Sequence, residues 1–373
     1  MHILALNPGS STLKYRLFEI SANADSVLAD GKLEHVAGET TARAAEEAIR
    51  RCLPSKVDAL AYRIVQGGAH FIEPTIVTPQ VIDAIRKLAD LAPLHNKIAV
   101  AVMEAGSRMV PHVPGVAIFD TAFHRTLPEV AERYALPTSL ADRLGLRRYG
   151  FHGISHRYVS GRVIELLARG AAGTRLITCH LGNGASACAV RDGRSVDTSM
   201  GLTPLEGLVM GTRSGDVDPG LLLFLLRSGN MTAQQVDDLL NKQSGLLGVS
   251  GKSQDVRELQ ATAGTGDSAA ELALAMFAYR VKKYIGAYAA ALGGLDAVAF
   301  TGGIGEHSAE MRGRFCQGLD FLGMNIDPDR NQAADGRSET PIGASGSPVH
   351  VWVIPTDEEK QMAREALAFL TQK

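Results

Sequence analysis

The sequence predicts an α/β protein that contains two similar halves. Two strand–turn–strand units rich in small residues, at 3–20 and 176–190, lie about 175 residues apart, which indicates a duplicated architecture rather than a solenoid. Strands alternate with helical stretches along the chain, as they do in α/β domains. Four further strands are predicted, at 58–65, 115–119, 297–300 and 349–354. The 373 residues suffice for two or three domains of about 150 residues each.

The individual elements follow from hydrophobic periodicity and from helix-start signals. In the first hairpin, the apolar strand 3–6 precedes the turn 7–13, and the returning strand 14–20 alternates apolar and charged residues. Thr78 and Pro79 are suited to be the N-cap and first residue of a helix. Helices are predicted at 41–52, 79–91, 97–109, 155–169, 219–228, 232–241, 268–292, 307–318 and 357–371. The domain boundary is placed near Gly150, where the helical pattern pauses.

Composition excludes several classes of protein. Glycine (39 residues) and proline (15) together fall short of the roughly 25–30% that marks low-complexity chains. The balance of 38 basic and 40 acidic residues gives no electrostatic reason to expect nucleic acid or an anionic membrane as a partner. No apolar run reaches the roughly 18 residues that cross a bilayer, and the N-terminus lacks signal-peptide features. Four cysteines without metal-ligand spacing favour a reduced, cytoplasmic protein.

Three turns rich in glycine and hydroxyl groups are candidate phosphate sites. They are NPGSSTLK at 7–14, HLGNGAS at 180–186 and TGGIGEH at 301–307. Glycine lets the backbone approach an anion closely, and the third turn precedes a predicted helix, whose N-terminus favours negative charge. Any one of them could instead be ordinary turn or packing glycine. Three in one chain favour phosphate binding, although the G-x-x-x-x-G-K-[ST] motif is absent.

Arg213 is the strongest candidate for a phosphoryl-binding side chain. It lies in GTRSGD at 211–216, after the run DTSMGLTPLEG at 197–207. The planar guanidinium matches phosphate oxygens as a fork, and the neighbouring glycines allow close approach of the backbone. A lone arginine in a loop is more often solvated, but these neighbours favour a binding role.

The motifs together resemble those of the acetate kinase family, in the family's order and along the whole chain. Besides the runs already quoted, they include FDTAFH at 119–124 and YGFHGISH at 149–156. The resemblance implies two similar α/β domains of the sugar kinase/actin/heat-shock ATPase type, with nucleotide in the cleft between them. It implies an N-terminal domain at 1–150, with helix 360–373 packing back on it, and a nucleotide-binding and dimerisation domain at 151–359. It also implies a homodimer joined through the second domain.

The same resemblance implies roles for particular residues. Mg2+, or Mn2+ in its place, would be held by Asn7 and Glu358, with Glu359 as the alternative to Glu358. Arg63 would bind the substrate carboxylate, and the catalytic set would be Asp120, His152 and Arg213. An apolar pocket for the acyl chain would comprise Val65, Leu94, Phe151 and Pro204. ATP or ADP would be bound by Lys14, His180, Leu181, Gly182, Asn183, Gly184, Asp255, Val256, Arg257, Gly303, Ile304, Gly305, Glu306 and His307.

Chemistry supports this set but leaves the role of Asp120 open. Transfer of a phosphoryl group to a carboxylate brings two anions together, so cations such as Arg63, Arg213, Lys14 and Mg2+ must offset their repulsion. A carboxylic acid with a pKa of about 4–5 is already ionised at pH 7 and needs no base. We therefore expect Asp120 to orient Mg2+ or its water, or to position Arg63.

Several positions depart from the family pattern. Tyr62 and Gln66 stand where the family usually has histidine, Lys97 stands where it has proline, and His307 stands where it has asparagine. Tyr62 is either a core replacement or part of a reshaped pocket rim. The leading prediction is reversible phosphorylation of acetate by ATP. The alternatives are a propionate- or butyrate-type kinase, a pyrophosphate-using relative, and a nucleotide-driven switch ATPase of the same fold.

Overall fold

The computed structural model describes residues 1–9, 11–21, 24–34, 36, 38, 40–88 and 93–372, with the side chains of 93 and 94 left out. The chain forms two compact units. The first comprises 1–125, 151–158 and 357–373, and the second comprises 126–150 and 159–356. Within these described ranges, every helix is too short or too polar to cross a membrane.

Twelve strands and fifteen α-helices make up the described part of the chain. The strands are β1 (His2–Pro8), β2 (Thr12–Ile20), β3 (Asp25–Glu34), β4 (Ala59–Ile64), β5 (Thr75–Ile76), β6 (Gly115–Phe119), β7 (Arg175–Leu181), β8 (Ala185–Arg191), β9 (Arg194–Thr198), β10 (Ala297–Thr301), β11 (Thr340–Pro341) and β12 (His350–Val353). The helices are α1 (Thr40–Cys52), α2 (Pro79–Lys87), α3 (Pro93–Met109), α4 (Glu129–Glu132), α5 (Thr138–Leu144), α6 (Gly153–Leu167), α7 (Pro219–Arg227), α8 (Ala233–Lys242), α9 (Gly245–Ser250), α10 (Val256–Gly264), α11 (Ser268–Leu292), α12 (Gly302–His307), α13 (Ala309–Cys316), α14 (Pro328–Ala333) and α15 (Glu358–Thr371).

The first unit is built on a six-stranded sheet with the order β3-β2-β1-β4-β6-β5. β1 and β2 form the predicted antiparallel hairpin, in which Asn7 pairs with Lys14. β1, β4 and β6 are parallel neighbours, so their carboxyl ends lie at one edge of the sheet. Buried residues of α1 and α3 pack on one face. Met362, Ala363 and Ala366 of α15 pack on the other.

The second unit repeats this arrangement. Its sheet has the order β11-β12-β10-β7-β8-β9, in which β7 and β8 form a hairpin and β7, β10 and β12 are parallel. Read from the third strand of each unit, both sheets follow the order third, second, first, fourth. The predicted duplication of an α/β architecture is therefore confirmed. The helix predicted at 268–292 is also confirmed, with both ends as expected.

The structure differs from the predicted elements in several places. The helix predicted at 307–318 is α13, which spans Ala309–Cys316. The extended backbone of Ser308 separates α13 from the preceding α12, and the Ser308 side chain caps α13. The third glycine turn is thus itself helical, beginning at Gly302 directly after β10. α3 begins at 93 rather than at 97. The helix predicted at 79–91 is observed as α2, which ends at Lys87, and residues 89–91 lie outside the described residues. β3 and α10 were not predicted.

The division of the chain into functional domains at Gly150 stays a prediction. The chain passes from the first unit to the second after residue 125, returns for 151–158, and returns again at 357. Phe151, His152 and Glu358 consequently lie in the same unit as Arg63 and Asp120. Sequence patterns could not show this, because each return is a short segment without a compositional change.

Candidate active site

Arg63 and Asp120 form a buried, two-pronged ion pair where β4 and β6 end. Nη2 of Arg63 donates to Oδ2 of Asp120 at 2.8 Å, and Nε donates to Oδ1 at 3.1 Å. Asp120 directly follows β6, and its N–H donates to the carbonyl of Ile64 at 2.9 Å, which continues the pairing of the two strands. The side chains are only 13% and 1% exposed, so water screens the pair weakly.

Asn7, near the end of β1, joins this pair to the start of α15. Its Oδ1 accepts from Nη1 of Arg63 at 3.0 Å. Its Nδ2 donates to Oε2 of Glu358 at 2.9 Å and to Oε1 of Glu359 at 2.7 Å. Nη1 of Arg63 also lies 3.4 Å from Oε2 of Glu358. Four of the predicted site residues therefore form one cluster: the metal ligands Asn7 and Glu358, the carboxylate-binding Arg63 and the catalytic Asp120.

The cluster carries more negative than positive charge. Three carboxylates, Asp120, Glu358 and Glu359, surround the single guanidinium of Arg63. Burial by itself would lower the pKa of Arg63, but Asp120 and Glu358 outweigh it and raise that pKa above its usual range. Burial, offset only in part by Arg63, raises the pKa of Asp120. The cluster is therefore electrostatically suited to receive a further cation.

The cluster also fits the metal that the sequence predicts. Within the described ranges, no three His, Cys, Asp or Glu side chains converge as a complete metal-binding group. Mg2+ does not require such a group, because it usually takes one or two carboxylates together with water and phosphate oxygens. The Asn7 amide oxygen and the Glu358 carboxylate are hard oxygen donors of this kind.

The turn before α6 places His152 against Asp120. The backbone N–H of His152 donates to the Asp120 carboxylate. His152 has a φ of 55°, a left-handed conformation that is uncommon outside glycine and that recurs at functional sites. A Cβ on Gly153 would lie 1.9 Å from the Asp120 carbonyl oxygen, so only glycine allows this approach. The ring of buried His124 bonds the carbonyl of Phe151 at 3.0 Å and supports the same turn.

The residues predicted to bind the acyl chain are divided between the units. Val65 and Phe151 are buried in the first unit, and Pro204 lies in the second. The side chain of Leu94 lies outside the described residues, as does Ser10 of the first glycine turn. This pocket stays a prediction.

Three predicted motifs meet in the second unit. The N–H of Gly211, in the arginine loop, donates to the carbonyl of Asn183 at 3.0 Å. A Cβ on Gly211 would lie 2.0 Å from Oδ1 of Asn183. Gly302, with a φ of 74°, has its Cα so close to β7 that a Cβ would lie 2.8 Å from the Leu181 carbonyl oxygen. The turn at 181–185, the loop at 211–216 and α12 are therefore neighbours.

Within this group of loops, Arg213 is the candidate anion-binding side chain. Its Nη1 donates to the Pro204 carbonyl at 2.6 Å, and within the described part of the chain it forms no ion pair with a carboxylate. Burial lowers the pKa of Arg213, since no negative group compensates the missing hydration. A partly buried cation without a protein counter-ion is suited to an anionic ligand.

The remaining predicted nucleotide residues have varied surroundings. Glu306 turns back onto its own unit, where Oε1 accepts from the N–H groups of Gly302 at 2.8 Å and Thr356 at 3.0 Å. His307 bonds the Asp335 carbonyl at 2.8 Å. Lys14 is exposed at the first hairpin. Asp255 caps α10 and pairs with Arg257, whose side chain is 88% exposed, while Val256 is buried. Their contact with nucleotide stays a prediction.

Tyr62 is a core residue rather than an exposed rim residue. Its side chain is 2% exposed and belongs to the α3-facing core cluster. A Cβ on Gly106 would lie 1.9 Å from the Tyr62 hydroxyl, and one on Gly115 would lie 2.7 Å from its ring. Because these two glycines have no side chain, they leave room for the large tyrosine ring. Buried Gln66 accepts the N–H of Gly68 at 2.9 Å, whereas Lys97 is exposed.

Sequence reasoning missed a group of polar residues that holds the run at 197–207. Arg148, Tyr134 and Glu206 bond one another and the backbone of this run. Glu206 belongs to the run at 197–207, but Arg148 and Tyr134 lie far from it in sequence. Only the folded chain brings them together.

Comparison with known proteins agrees with this architecture. A family model described as the acetokinase family matches residues 35–364. The chain is 45% identical to the acetate kinase of Phocaeicola vulgatus, with all of both chains covered. It is 49% identical to that of Leifsonia xyli, with 98% of each covered.

Solved structures of acetate and propionate kinases also match the chain over nearly its whole length. The acetate kinase of Porphyromonas gingivalis matches with a TM-score of 0.90 and 41% identity over 99% of both chains. A propionate kinase from Francisella tularensis matches at 0.88 and 37% over 98% of both. The two-unit α/β fold belongs to the sugar kinase/actin/heat-shock ATPase class. Within that class, the chain belongs to the acetokinase family.

Proposed function

We propose that the chain transfers the γ-phosphoryl group of ATP reversibly to acetate, giving acetyl phosphate and ADP. The observation that carries the proposal is the buried Arg63, which is held by Asp120 beside Asn7 and Glu358. A switch ATPase needs no such arginine for a carboxylate substrate. The 3.4 Å contact with Glu358 is the longest of these contacts, and we infer that a substrate carboxylate replaces it.

We assign the phosphoryl-binding role to the second unit. Arg213 has a guanidinium without a carboxylate partner among the described residues, and the turn at 181–185 and α12 adjoin its loop. Phosphoryl transfer depends mainly on positioning and on charge neutralisation, which this group can supply. His152, held in its strained turn against Asp120, is assigned to the transferring group as well.

Mg2+ is proposed as the cofactor, with Mn2+ able to take its place. Asn7 and Glu358 would hold it, and the excess of negative charge around Arg63 supports the assignment. When bound, the ion neutralises charge on the ATP phosphates. Because the substrate carboxylate is already ionised at neutral pH, Asp120 has no need to act as a base, and we assign it to keeping Arg63 oriented.

A homodimer is proposed from exposed apolar side chains on two helices of the second unit. On α7 they are Leu221, Leu223, Phe224 and Leu226, and on α11 they are Leu272, Met276 and Tyr279. Exposed apolar groups at this density indicate an interface. A cytoplasmic location is proposed because all four cysteines are free and buried, as in proteins of reducing compartments.

The test is hydroxylamine trapping of the acyl phosphate product. The protein is incubated with MgATP and acetate, propionate or butyrate in turn, and with pyrophosphate in place of ATP. We expect hydroxamate with ATP and with acetate as the best acceptor. Burying one additional methylene changes the binding free energy by only about 0.8 kcal/mol, so propionate should also react. ATP binding without hydroxamate from any acid would support the switch ATPase instead.

The proposed preference for acetate over propionate needs a separate test. A propionate kinase is among the similar structures, at 37% identity. A higher kcat/KM for propionate than for acetate would therefore reassign the substrate without changing the reaction. Replacement of Arg63 by Gln should raise KM for every acid in the panel, because the residue binds the shared carboxylate.

A further inference from the structure

Glu206 is the centre of a hydrogen-bonded group in the second unit. Its Oε1 accepts from Nη2 of Arg148 at 2.6 Å, and its Oε2 accepts from the hydroxyl of Tyr134 at 2.5 Å. Both carboxylate oxygens are therefore engaged by donors from the segment 126–150, which is distant in sequence. The Arg148 guanidinium also lies over the Tyr134 ring, 5.7 Å from its centroid.

The two donors also bind the backbone of the run at 197–207. Nη1 of Arg148 donates to the carbonyls of Thr198, Ser199 and Met200 at 3.1–3.3 Å. The Tyr134 hydroxyl accepts the N–H of Leu202 at 2.9 Å. The backbone and the Glu206 side chain of the same run are thus tied to one pair of residues, which leaves this run little freedom to move.

The close approach at Glu206 depends on a glycine. A Cβ on Gly201 would lie 1.8 Å from Oε2 of Glu206 and 2.1 Å from the Tyr134 hydroxyl. No side chain could occupy that position without displacing the carboxylate. The glycine in this motif is therefore explained by the hydrogen-bonded group rather than by contact with a phosphate.

The run connects directly to Arg213. Pro204 lies two residues before Glu206, and its carbonyl accepts from Nη1 of Arg213 at 2.6 Å. The N–H of Gly207 donates to Oδ1 of Asp216 at 2.8 Å, and the N–H of Asp216 donates to the Gly207 carbonyl at 3.0 Å. Both ends of the segment 204–207 are therefore joined to the loop that carries Arg213.

We propose that Glu206, held by Arg148 and Tyr134, is a positioning residue for phosphoryl transfer: it fixes the Pro204 carbonyl, which in turn orients the Arg213 guanidinium. The inference rests on the proposed function, since it assigns Arg213 to the transferring group. The Pro204 bond takes only Nη1, so the other guanidinium nitrogens stay directed by it and available to an anion.

The first test compares Glu206→Gln with a matched control. The amide keeps the shape but removes the charge that holds Arg148. We expect kcat to fall about tenfold to a hundredfold, because displacing a catalytic group by about 1 Å has effects of that size, while KM for ATP changes less than twofold. The control is Glu339→Gln, which removes a similar Glu–Arg pair of the same unit, with N–O distances of 2.6 and 2.9 Å to Arg162. Its kcat should equal that of the wild type.

A double-mutant comparison separates positioning from a general decrease in stability. If Glu206 acts through Arg213, Glu206→Gln should have no further effect on kcat in an Arg213→Ala background. An equal fold-decrease in both backgrounds, or a normal kcat for Glu206→Gln, would overturn the inference. Tyr134→Phe, which removes one donor only, serves as the milder variant if Glu206→Gln fails to fold.

A crystal structure provides a readout that does not depend on activity. In Glu206→Gln, we expect Nη1 of Arg213 to move away from the Pro204 carbonyl, whereas in Glu339→Gln the 2.6 Å hydrogen bond should persist. An unchanged hydrogen bond in Glu206→Gln would refute the positioning role even if the wild type phosphorylated no carboxylate. If the wild type is inactive but Arg213 still moves away from Pro204 in Glu206→Gln, the proposed function alone is refuted.

Discussion

At the scale of single residues, Asp120 is better explained as an orienting group than as a base. It contacts two nitrogens of Arg63, and it is almost fully buried. An ionised acceptor has no proton to give up at neutral pH. The remaining contacts of Arg63 to Asn7 and Glu358 can keep the guanidinium nearby, but not in one orientation.

We therefore predict that Asp120→Asn abolishes turnover while carboxylate binding stays largely intact. Steady-state kinetics and equilibrium binding of acetate would measure the two effects separately. Asp296→Asn is the matched control, because Asp296 forms a similar two-pronged pair with Arg175, with both N–O distances at 3.1 Å. The control should retain kcat. Near-normal turnover in Asp120→Asn would exclude a catalytic or positioning role.

At the scale of elements, two adjacent glycines at the junction of β10 and α12 have different surroundings. Gly302 has a left-handed φ of 74°, and its Cα lies against the backbone of Leu181. Gly303 has an ordinary φ, is exposed, and would have open space around a Cβ. Packing therefore requires glycine at 302, whereas no packing contact requires it at 303.

We expect Gly302→Ala to lower the free energy of unfolding by about 2–3 kcal/mol, since both the conformation and the space exclude a methyl group. Gly303→Ala should leave stability within about 0.5 kcal/mol but raise KM for ATP, if the exposed backbone at this position approaches phosphate. Urea unfolding and steady-state kinetics check the pair. Equal stability of the two variants would contradict the packing argument.

A second element-level feature links the start of β10 to the start of β7. Asp296 precedes β10 and accepts from the backbone N–H of Arg175 at 2.7 Å as well as from its side chain. Burial alone would raise the pKa of Asp296, but Arg175 and Arg169 outweigh it and lower the pKa to about 2.

Because this pKa is depressed on folding, the contribution of Asp296 to stability is present above pH 4 and disappears as pH falls towards 2. We predict that Asp296→Asn costs about 1–2 kcal/mol of unfolding free energy at pH 7, allowing for partial solvent screening. The difference from the wild type should narrow below pH 4. Urea unfolding of both proteins across this range tests it, and a pH-independent difference would contradict the ion-pair explanation.

At the scale of the whole molecule, the second unit exposes apolar side chains that a monomer would leave in water. On α7, Leu223 is 49% exposed and Phe224 is 61% exposed, and on α11 Tyr279 is 63% exposed. A stable interface buries about 800 Å2 on each partner, and large apolar side chains dominate such contacts.

We predict that the protein sediments as a dimer and that Leu223→Asp with Phe224→Glu converts it to a monomer. Introducing two charges into an apolar contact is costly, because they would be desolvated without partners. Val130→Glu is the control, since Val130 is 92% exposed but lies on the short helix α4, outside the proposed surface. Analytical ultracentrifugation distinguishes the outcomes, and a monomeric wild type would refute the dimer.

Local pattern accounts for much of the fold and for part of the site. The hairpin of β1 and β2 and the long helix α11 were predictable because their periodicity and turn residues are local properties of the sequence. The helical nature of α12 was not predictable, because glycine has a low intrinsic helix propensity and the packing of Gly302 on Leu181 decides its conformation.

The sequence by itself determined the α/β class, the duplication, the family and the chemical identity of the site residues, because these depend on residue type and spacing. The tertiary structure decided which of those residues meet. It brings Asn7, Arg63, Asp120 and Glu358 together from three strand ends and a helix start. It also makes Tyr62 a core residue and joins Glu206 to Arg148 and Tyr134. Contacts between residues so distant in sequence arise only when the strands assemble into sheets and the helices pack on them, so no local pattern encodes these contacts.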